Sequence, residues 1–340
     1  MLVGKRILLI SIKFFNYENL IKQELEEMGA IVDLYDERPS NSFLSKAIIR
    51  FKKAFYARKI NQYFKSICSE IENTKYNYFL LIKGEATPVF FLDFLRKQNP
   101  EIKFIYYTYD SFKNNSNGLK ILSHFDAKYT FDSLDAKKYD LGFRPLFYAK
   151  DYSGLYDVKG SSSYDLSFIG TAHSDRYTIS ELAKNWCSKH NLNMYSFYYS
   201  PSKLLFIYKK LTEPDFKNFD ERLISFKSLN HSEIVNLYKK TKAILDINHP
   251  GQNGLTMRTF ETLGAGRKLI TTNSNIRKYP FYNPENIWVL DRDGIQFDLA
   301  FFSTPFVPLQ KDHLHTMSLR GWIEEVFGLS DVKIWEGVVK

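Results

Sequence analysis

Residues Ala243–Asn273 read AILDINHPGQNGLTMRTFETLGAGRKLITTN, and this stretch decides the fold. Ala243–Ile247 is an apolar, β-branched run of strand length that stops at Asn248-His249-Pro250. A glycine-containing loop, Gly251–Gly254, leads into an amphipathic helix expected over Met257–Leu263, and a second strand follows at Lys268–Thr272. Glycine lets a backbone come close to a ligand, and the first amides of a helix point at whatever sits beyond them. The pattern is that of a pyrophosphate-binding loop, with Asn248, His249, Asn253 and Gly254 as loop ligands. Arg258 in the first helical turn can add charge-assisted hydrogen bonds to phosphate, and Glu261, one turn on, can accept from ribose hydroxyls. Gly264 and Gly266 allow tight passage into the second strand. An ordinary β-loop-α-β unit with an exposed Arg–Glu pair has the same pattern.

Outward from this stretch, short apolar runs alternate with amphipathic segments, which argues for α/β layering around parallel sheets. Upstream, strands are expected at Lys5–Ile12, Ile31–Tyr35, Tyr78–Lys83, Lys103–Thr108 and Lys128–Phe131. Helices are expected at Tyr17–Met28, closed by Gly29, at Phe43–Asn73 and at Pro88–Gln98. After Phe147 the chain loosens into AKDYSGLYDVKGSSS, a Gly/Ser-rich boundary. A second series then runs through strand Leu166–Ile169, helix Arg176–His190, strand Asn193–Phe197 and helix Ser232–Lys240 into the opening stretch. The expected architecture is two Rossmann-like, doubly wound domains facing a central cleft, over residues 1–155 and 156–312. Residues 313–340 form a tail that packs back on the first domain. Strand carboxyl ends, and so ligands, belong in that cleft.

At 340 residues the chain is long enough for two cores. Two cysteines, Cys68 and Cys187, make neither a disulfide framework nor a metal spacing, which fits a reducing cytoplasm. No run approaches the roughly 20 apolar residues that span a bilayer, and Ile7–Ile12 is broken by Lys13, so it reads as a strand. A net charge of +9 calls for an acidic partner, but nucleotide phosphates, anionic lipid and nucleic acid all qualify. The helix at 43–73 carries Lys46, Arg50, Lys52, Lys53, Arg58, Lys59 and Lys65, with Leu44, Ile48, Phe51 and Phe55 at helical spacing. Such a helix lies on an anionic membrane surface, or else turns its apolar stripe to the core and its basic back to solvent.

The 243–273 segment resembles the nucleotide-sugar-binding motif of GT-B glycosyltransferases. It is most similar to the spore-maturation-protein-like (CgeB-like) group, with its "R-x-F-E-x-x-x-x-G" pattern at Arg258–Gly266. Leu81–Glu85 (LIKGE), Tyr107–Ser111 (YTYDS), Phe125–Tyr148 and Asp165–Arg176 (DLSFIGTAHSDR) resemble other elements of that group in the same order, with a weaker fit at Ser318–Phe327. One departure matters. Many retaining members carry Glu-x7-Glu ending at the place of Glu261, and the position eight residues earlier is Asn253, so the resemblance implies no retaining outcome.

Glycosyl transfer passes through an oxocarbenium-like transition state, and an inverting reaction needs a base for the acceptor hydroxyl. Asp110 follows the strand KFIYYT and is the first candidate; Glu85 follows LLIKG and is the second. An N-cap is the alternative for Asp110. Lys83 either meets phosphate or reaches solvent. Gly170-Thr171, after the strand LSFI, presents backbone amides to a diphosphate, and Arg176 opens the next helix beside it. Asp132 and Asp135 read as caps. Asp291-Arg292-Asp293 has a metal-binding spacing but precedes Gly294 and reads as a turn; His313-x-His315 reads as surface. His249-Pro250 resembles a motif of cytidine-nucleotide-dependent sialyl- and Kdo-transferases, which keeps CMP-sugars among the donors.

The expectation is a cytoplasmic, metal-independent glycosyltransferase with no cofactor beyond its nucleotide-sugar co-substrate, peripheral at the inner membrane if helix 43–73 binds lipid. The resemblance implies a glycan or lipid-linked acceptor in bacterial surface polysaccharide (lipopolysaccharide, O-antigen or capsule) biosynthesis. A nucleotide-sugar 2-epimerase of the same architecture is the alternative. A nucleic-acid-binding module is a weaker one, because no base-stacking or groove-reading motif is present and no nucleic acid partner is expected.

Overall fold

The computed structural model describes residues 1–40, 53–156, 162–217, 219–292, 294–331 and 333–339. The chain divides into two compact units, Met1–Pro145 with Leu319–Lys340, and Leu146–Ser318.

The first unit holds strands β1 (Arg6–Ser11), β2 (Ile31–Asp36), β3 (Tyr78–Ile82), β4 (Lys103–Thr108), β5 (Ala127–Thr130) and β6 (Gly142–Phe143). All pair in parallel, in the order β2-β1-β3-β4-β5-β6. The central strands are continuous apolar runs because both faces are covered. Leu8, Ile10, Phe79, Leu81, Phe104 and Tyr106 meet helices Lys53–Ile71 and Val89–Gln98 on one side. Their neighbours Leu9, Leu80, Ile105 and Tyr107 are equally buried, and Tyr107 packs edge-on against Trp322 of helix Leu319–Val326. Gly29 ends the first helix with φ +90°, a conformation glycine adopts at little cost.

Of the basic helix expected at 43–73, residues 41–52 lie outside the described residues, and with them most of its proposed membrane face. The described part turns Tyr56, Ile60, Phe64, Ile67 and Ile71 into the core and leaves Arg58, Lys59 and Lys65 exposed. That is the core-facing arrangement with a solvated basic back.

The second unit holds β7 (Tyr164–Thr171), β8 (Met194–Tyr199), β9 (Ile224–Ser225), β10 (Thr241–Asp246), β11 (Lys268–Thr271) and β12 (Ile287–Val289), ordered β12-β11-β10-β7-β8-β9 and again all parallel. In each sheet the chain reverses direction of growth at one place: between β1 and β3 in the first, and between β7 and β10 in the second. At such a switch point the helices after the two strands leave to opposite faces, which opens a crevice at their carboxyl ends. β7 runs two residues further than expected. Gly170 and Thr171 still pair with Tyr198 and Tyr199, so the turn begins at Ala172 and these two residues belong to the sheet ladder. A Cβ at Gly170 would lie 2.6 Å from the Phe168 ring, so the glycine serves packing there.

Candidate functional site

In the second unit, the apolar run of β10 ends on Asp246, whose side chain is fully buried. A carboxylate at the end of an apolar strand must be hydrogen-bonded to remain charged. Thr256 Oγ1 donates to Asp246 Oδ2 at 2.7 Å, Thr259 Oγ1 at 3.2 Å, and Arg258 donates to Oδ1 at 3.1 Å. Strand end and helix start are thereby joined across the glycine loop. Arg258 is not the exposed half of an Arg–Glu pair. Burial opposes its charge, but Asp246, with Tyr238 and Glu261 behind it, outweighs that cost and raises its pKa. Glu261 is itself buried.

The loop is held from its other side by amides. Asn248 Nδ2 donates to the carbonyls of His249 (3.2 Å) and Gln252 (3.1 Å). Asn273 Nδ2 donates to those of Asn253 (3.2 Å) and Gly254 (3.3 Å), and Asn275 Nδ2 to Asn253 Oδ1 at 2.8 Å. The Gly251 amide donates to His249 Nδ1 at 3.1 Å, which leaves the proton of a neutral His249 ring on Nε2. Arg292 closes the loop. It donates to the Asn248 carbonyl (2.6 Å), Asn248 Oδ1 (2.8 Å) and Thr272 Oγ1 (3.0 Å), and its other terminal nitrogen is ion-paired with Asp175.

Arg176 lies where β7 and β10 part. Its Nε donates to the Ile247 carbonyl at 2.8 Å and Nη1 to the Thr171 carbonyl at 3.2 Å. Among the described residues no carboxylate stands in ion-pair contact with it. Burial, followed by Arg258 and then Arg292, pulls its pKa down to about 10, although Asp246 and Asp175 oppose the shift. His173, in the turn after β7, is pushed down to about 3 by burial first, then by Arg176, His249, Lys209 and Arg258. Its ring lies 5.7 Å from that of His249. The switch point of the second unit therefore holds an arginine, Arg176, with no carboxylate among the described residues in ion-pair contact, its charge opposed by Arg258 and Arg292, an electrostatic setting that suits an anion.

In the first unit the corresponding crevice is at the ends of β1 and β3. Lys83 follows β3 with φ +82° and Gly84 with φ +70°. A left-handed lysine costs on the order of 1–3 kcal/mol and persists only where its surroundings hold it. Here the Lys83 carbonyl accepts from Tyr106 OH at 2.7 Å and from Asn115 Nδ2, while a Cβ at position 84 would lie 2.8 Å from the Tyr106 ring. The strained turn sets Lys83 Nζ 3.3 Å from Asp110 Oδ2 and 3.5 Å from Glu85 Oε2. Glu85 also takes a two-nitrogen ion pair from Arg38. Burial works against its charge, but Lys83 and Arg38 outweigh burial and hold its carboxyl below the ordinary range. A carboxylate so engaged is a poor proton acceptor. Asp110 differs: its side chain keeps about a fifth of its surface, with one oxygen near Lys83 and the other accepting from Asn114 at 3.2 Å. It caps no helix, since Asn115 caps the next one, while Asp132 does cap helix Ser133–Tyr139. Glu37 is fully buried, its Oε1 accepting from the amides of Ala86 and Thr87 at 2.7 and 2.9 Å; burial raises its pKa.

Of the residues grouped from the sequence, Asn248, His249, Asn253 and Gly254 lie in the loop after β10, Arg258 and Glu261 in the helix behind it, and Arg176 bonds the Ile247 and Thr171 carbonyls at the loop's start. Sequence reading separated Arg292 as a turn residue and passed over Asp246 and His173. Asp293 lies outside the described residues. No group of three or more His, Cys, Asp or Glu side chains suited to a metal occurs among the described residues. No described helix is long and apolar enough to cross a membrane.

No protein-family model and no curated protein matches this sequence. Solved structures match it over almost the whole chain. An alpha-glucosyltransferase in complex with UDP and a 13-mer DNA superposes with a TM-score of 0.53 at 12% identity, covering 99% of this chain and 94% of that one. Sucrose-phosphate synthase from Thermosynechococcus elongatus gives 0.53 at 10% identity, covering 98% and 96%. The chain has the GT-B fold. UDP-GlcNAc 2-epimerase from Methanocaldococcus jannaschii is as similar, with a TM-score of 0.53 at 9% identity over 96% of this chain and 100% of that one. GT-B architecture is thus common to transferase and epimerase, and the chemistry has to be argued from the residues.

Proposed function

We propose that the chain is a glycosyltransferase that takes a sugar from a nucleotide-sugar donor and passes it to a glycan or lipid-linked acceptor, in the making of a bacterial surface polysaccharide. The observation that carries this reading is Arg176, which has no carboxylate in ion-pair contact among the described residues, beside the paired Arg258 and Arg292 at the carboxyl ends of β7 and β10. A diphosphate placed there gives Arg176 the anionic partner it lacks and sits at the amino end of helix Met257–Gly264, whose dipole favours an anion. The same arginine and helix dipole stabilise the nucleoside diphosphate as it departs. Asn248, Asn253, Gly254, His249 and Thr171 shape the crevice, and Glu261 and Arg258 set the start of the helix. In the first unit, Asp110 serves as base for the acceptor hydroxyl, Lys83 orients it from 3.3 Å, and Glu85 keeps Lys83 and Arg38 in place.

The epimerase reading has one observation in its favour, the equal likeness to UDP-GlcNAc 2-epimerase. The two readings separate by product. Incubated with a panel of UDP-, GDP-, dTDP- and CMP-sugars in EDTA, a transferase releases free nucleotide in proportion to an added acceptor. Interconversion of UDP-GlcNAc and its 2-epimer without acceptor would establish the epimerase instead.

A further inference from the structure

Helix Lys203–Thr212, which follows β8, is amphipathic in an unusual sense: its solvent side is the apolar one. Leu204, Ile207, Tyr208 and Leu211 are 80%, 43%, 62% and 77% exposed. At 3.6 residues per turn these four fall within an arc of about 100°. Phe206, on the opposite side, supplies the anchor, buried against Phe216 and Phe219. Leu223 and Phe226 of the next segment are also exposed, and the Phe226 ring lies 6.3 Å from that of the anchor Phe206. A soluble surface tolerates scattered leucines, but a contiguous stripe of this kind marks a docking face.

The charges around the stripe select its occupant. Lys203 and Lys210 flank it along one edge, Lys210 paired with Glu221 at 2.6 Å, and between residues 203 and 227 six Lys and Arg stand against four Asp and Glu, a net positive border. From this apolar stripe with a basic border we infer that helix Lys203–Thr212 is a membrane-surface anchor, its leucines and Tyr208 entering the headgroup boundary of an anionic bilayer while the lysines meet lipid phosphates. Tyr208 suits that depth, with an apolar ring and a polar tip. A second copy of the chain fits less well, because two such faces would oppose lysine to lysine. The helix is also only about 15 Å long and about 10 Å across, well short of the roughly 800 Å² that each partner of a stable dimer contributes. The inference rests on the proposed function only for its purpose, which is to hold the enzyme beside a lipid-linked acceptor.

The test is sedimentation of the full chain with vesicles of phosphatidylglycerol and phosphatidylcholine in equal parts, and with phosphatidylcholine alone. The wild type should bind the anionic vesicles at least tenfold more tightly. Leu204→Glu/Leu211→Glu should lose that binding at least tenfold, and Lys203→Glu/Lys210→Glu should lose the preference for anionic lipid. Nucleotide affinity in solution should be unchanged in both, so loss of membrane binding is separable from failure of the catalytic reading. Wild-type protein that ignores the vesicles, or leucine variants that bind them as well as wild type, would overturn the assignment. So would a dimer in sedimentation velocity that the leucine substitutions dissolve, which would give the face to a second copy.

Discussion

Asp246→Asn perturbs the second unit at the point where its loop, helix and strand are joined. The native carboxylate is buried and accepts from Thr256 Oγ1, Thr259 Oγ1 and Arg258. Asparagine keeps the shape and one acceptor oxygen but removes the charge, leaving Arg258 largely buried and facing Arg176 without its carboxylate. Breaking a buried ion pair from one side costs about 3–5 kcal/mol. Because one hydrogen-bond acceptor survives, the lower end, about 3 kcal/mol, is expected. For a unit of this size that is a fall of about 6–12 °C in Tm. Scanning calorimetry at neutral pH measures it, and Asp246→Asn/Arg258→Met supplies the control. Replacing both members by neutral groups should recover part of the loss, since the cost lies in the uncompensated charge. A single variant melting within about 2 °C of wild type would refute the reasoning, as would a double variant less stable than wild type by the sum of two independent losses.

Further outcomes follow from the same geometry. Asp110→Asn should keep nucleotide affinity and lower turnover at least roughly a hundredfold, the usual cost of a lost general base, whereas near-normal turnover removes Asp110 from that role. His173, held neutral with a pKa of about 3 against an ordinary value near 6.5, binds its proton more readily unfolded than folded. Its contribution is therefore complete above pH 6.5 and is lost as pH falls towards 3, with a slope of at most about 1.4 kcal/mol per pH unit. His173→Gln should flatten that part of the stability profile in urea titrations at stepped pH, and an unchanged profile would count against it. A methyl group at Gly264 would lie 2.4 Å from the ring of Tyr148, which is buried and anchored by its hydroxyl to the Leu314 carbonyl at 2.8 Å. Gly264→Ala should cost about 1–3 kcal/mol by overpacking, read as a lowered urea midpoint.

The α/β class and most strands were legible because a parallel sheet covered on both faces writes itself as apolar runs such as ILLI, YFLLI and FIYYT. The loop after β10 was legible for a related reason: a strand, a Pro-Gly turn and an amphipathic helix are local signals. Arg292 was hidden because its partners Asn248, Thr272 and Asp175 lie 20 or more residues away in sequence, and its Asp-Arg-Asp setting imitates a turn. Asp246 was passed over inside a strand, since the threonines and arginine that make its burial tolerable only reach it after the helix folds back. Asp110 and Glu85 were ranked first and second only from their places at two strand ends. What distinguishes them is Arg38, brought in from the end of β2, which occupies one and not the other. The exposed stripe on helix Lys203–Thr212 could not be told from a core stripe, because periodicity reports which residues share a face and not what that face meets.

The central claim is that the switch point of the second unit holds the diphosphate of a nucleotide sugar, and titration calorimetry with UDP, GDP, dTDP and CMP tests it most directly. At least one nucleotide should bind wild-type protein. Arg176→Ala, shown folded by its melting curve, should bind it about 10–150-fold more weakly, the loss expected for a hydrogen bond to a charged group of about 1.5–3 kcal/mol. Heats that show no binding of any nucleotide, or an affinity unmoved by removing Arg176, would contradict the account.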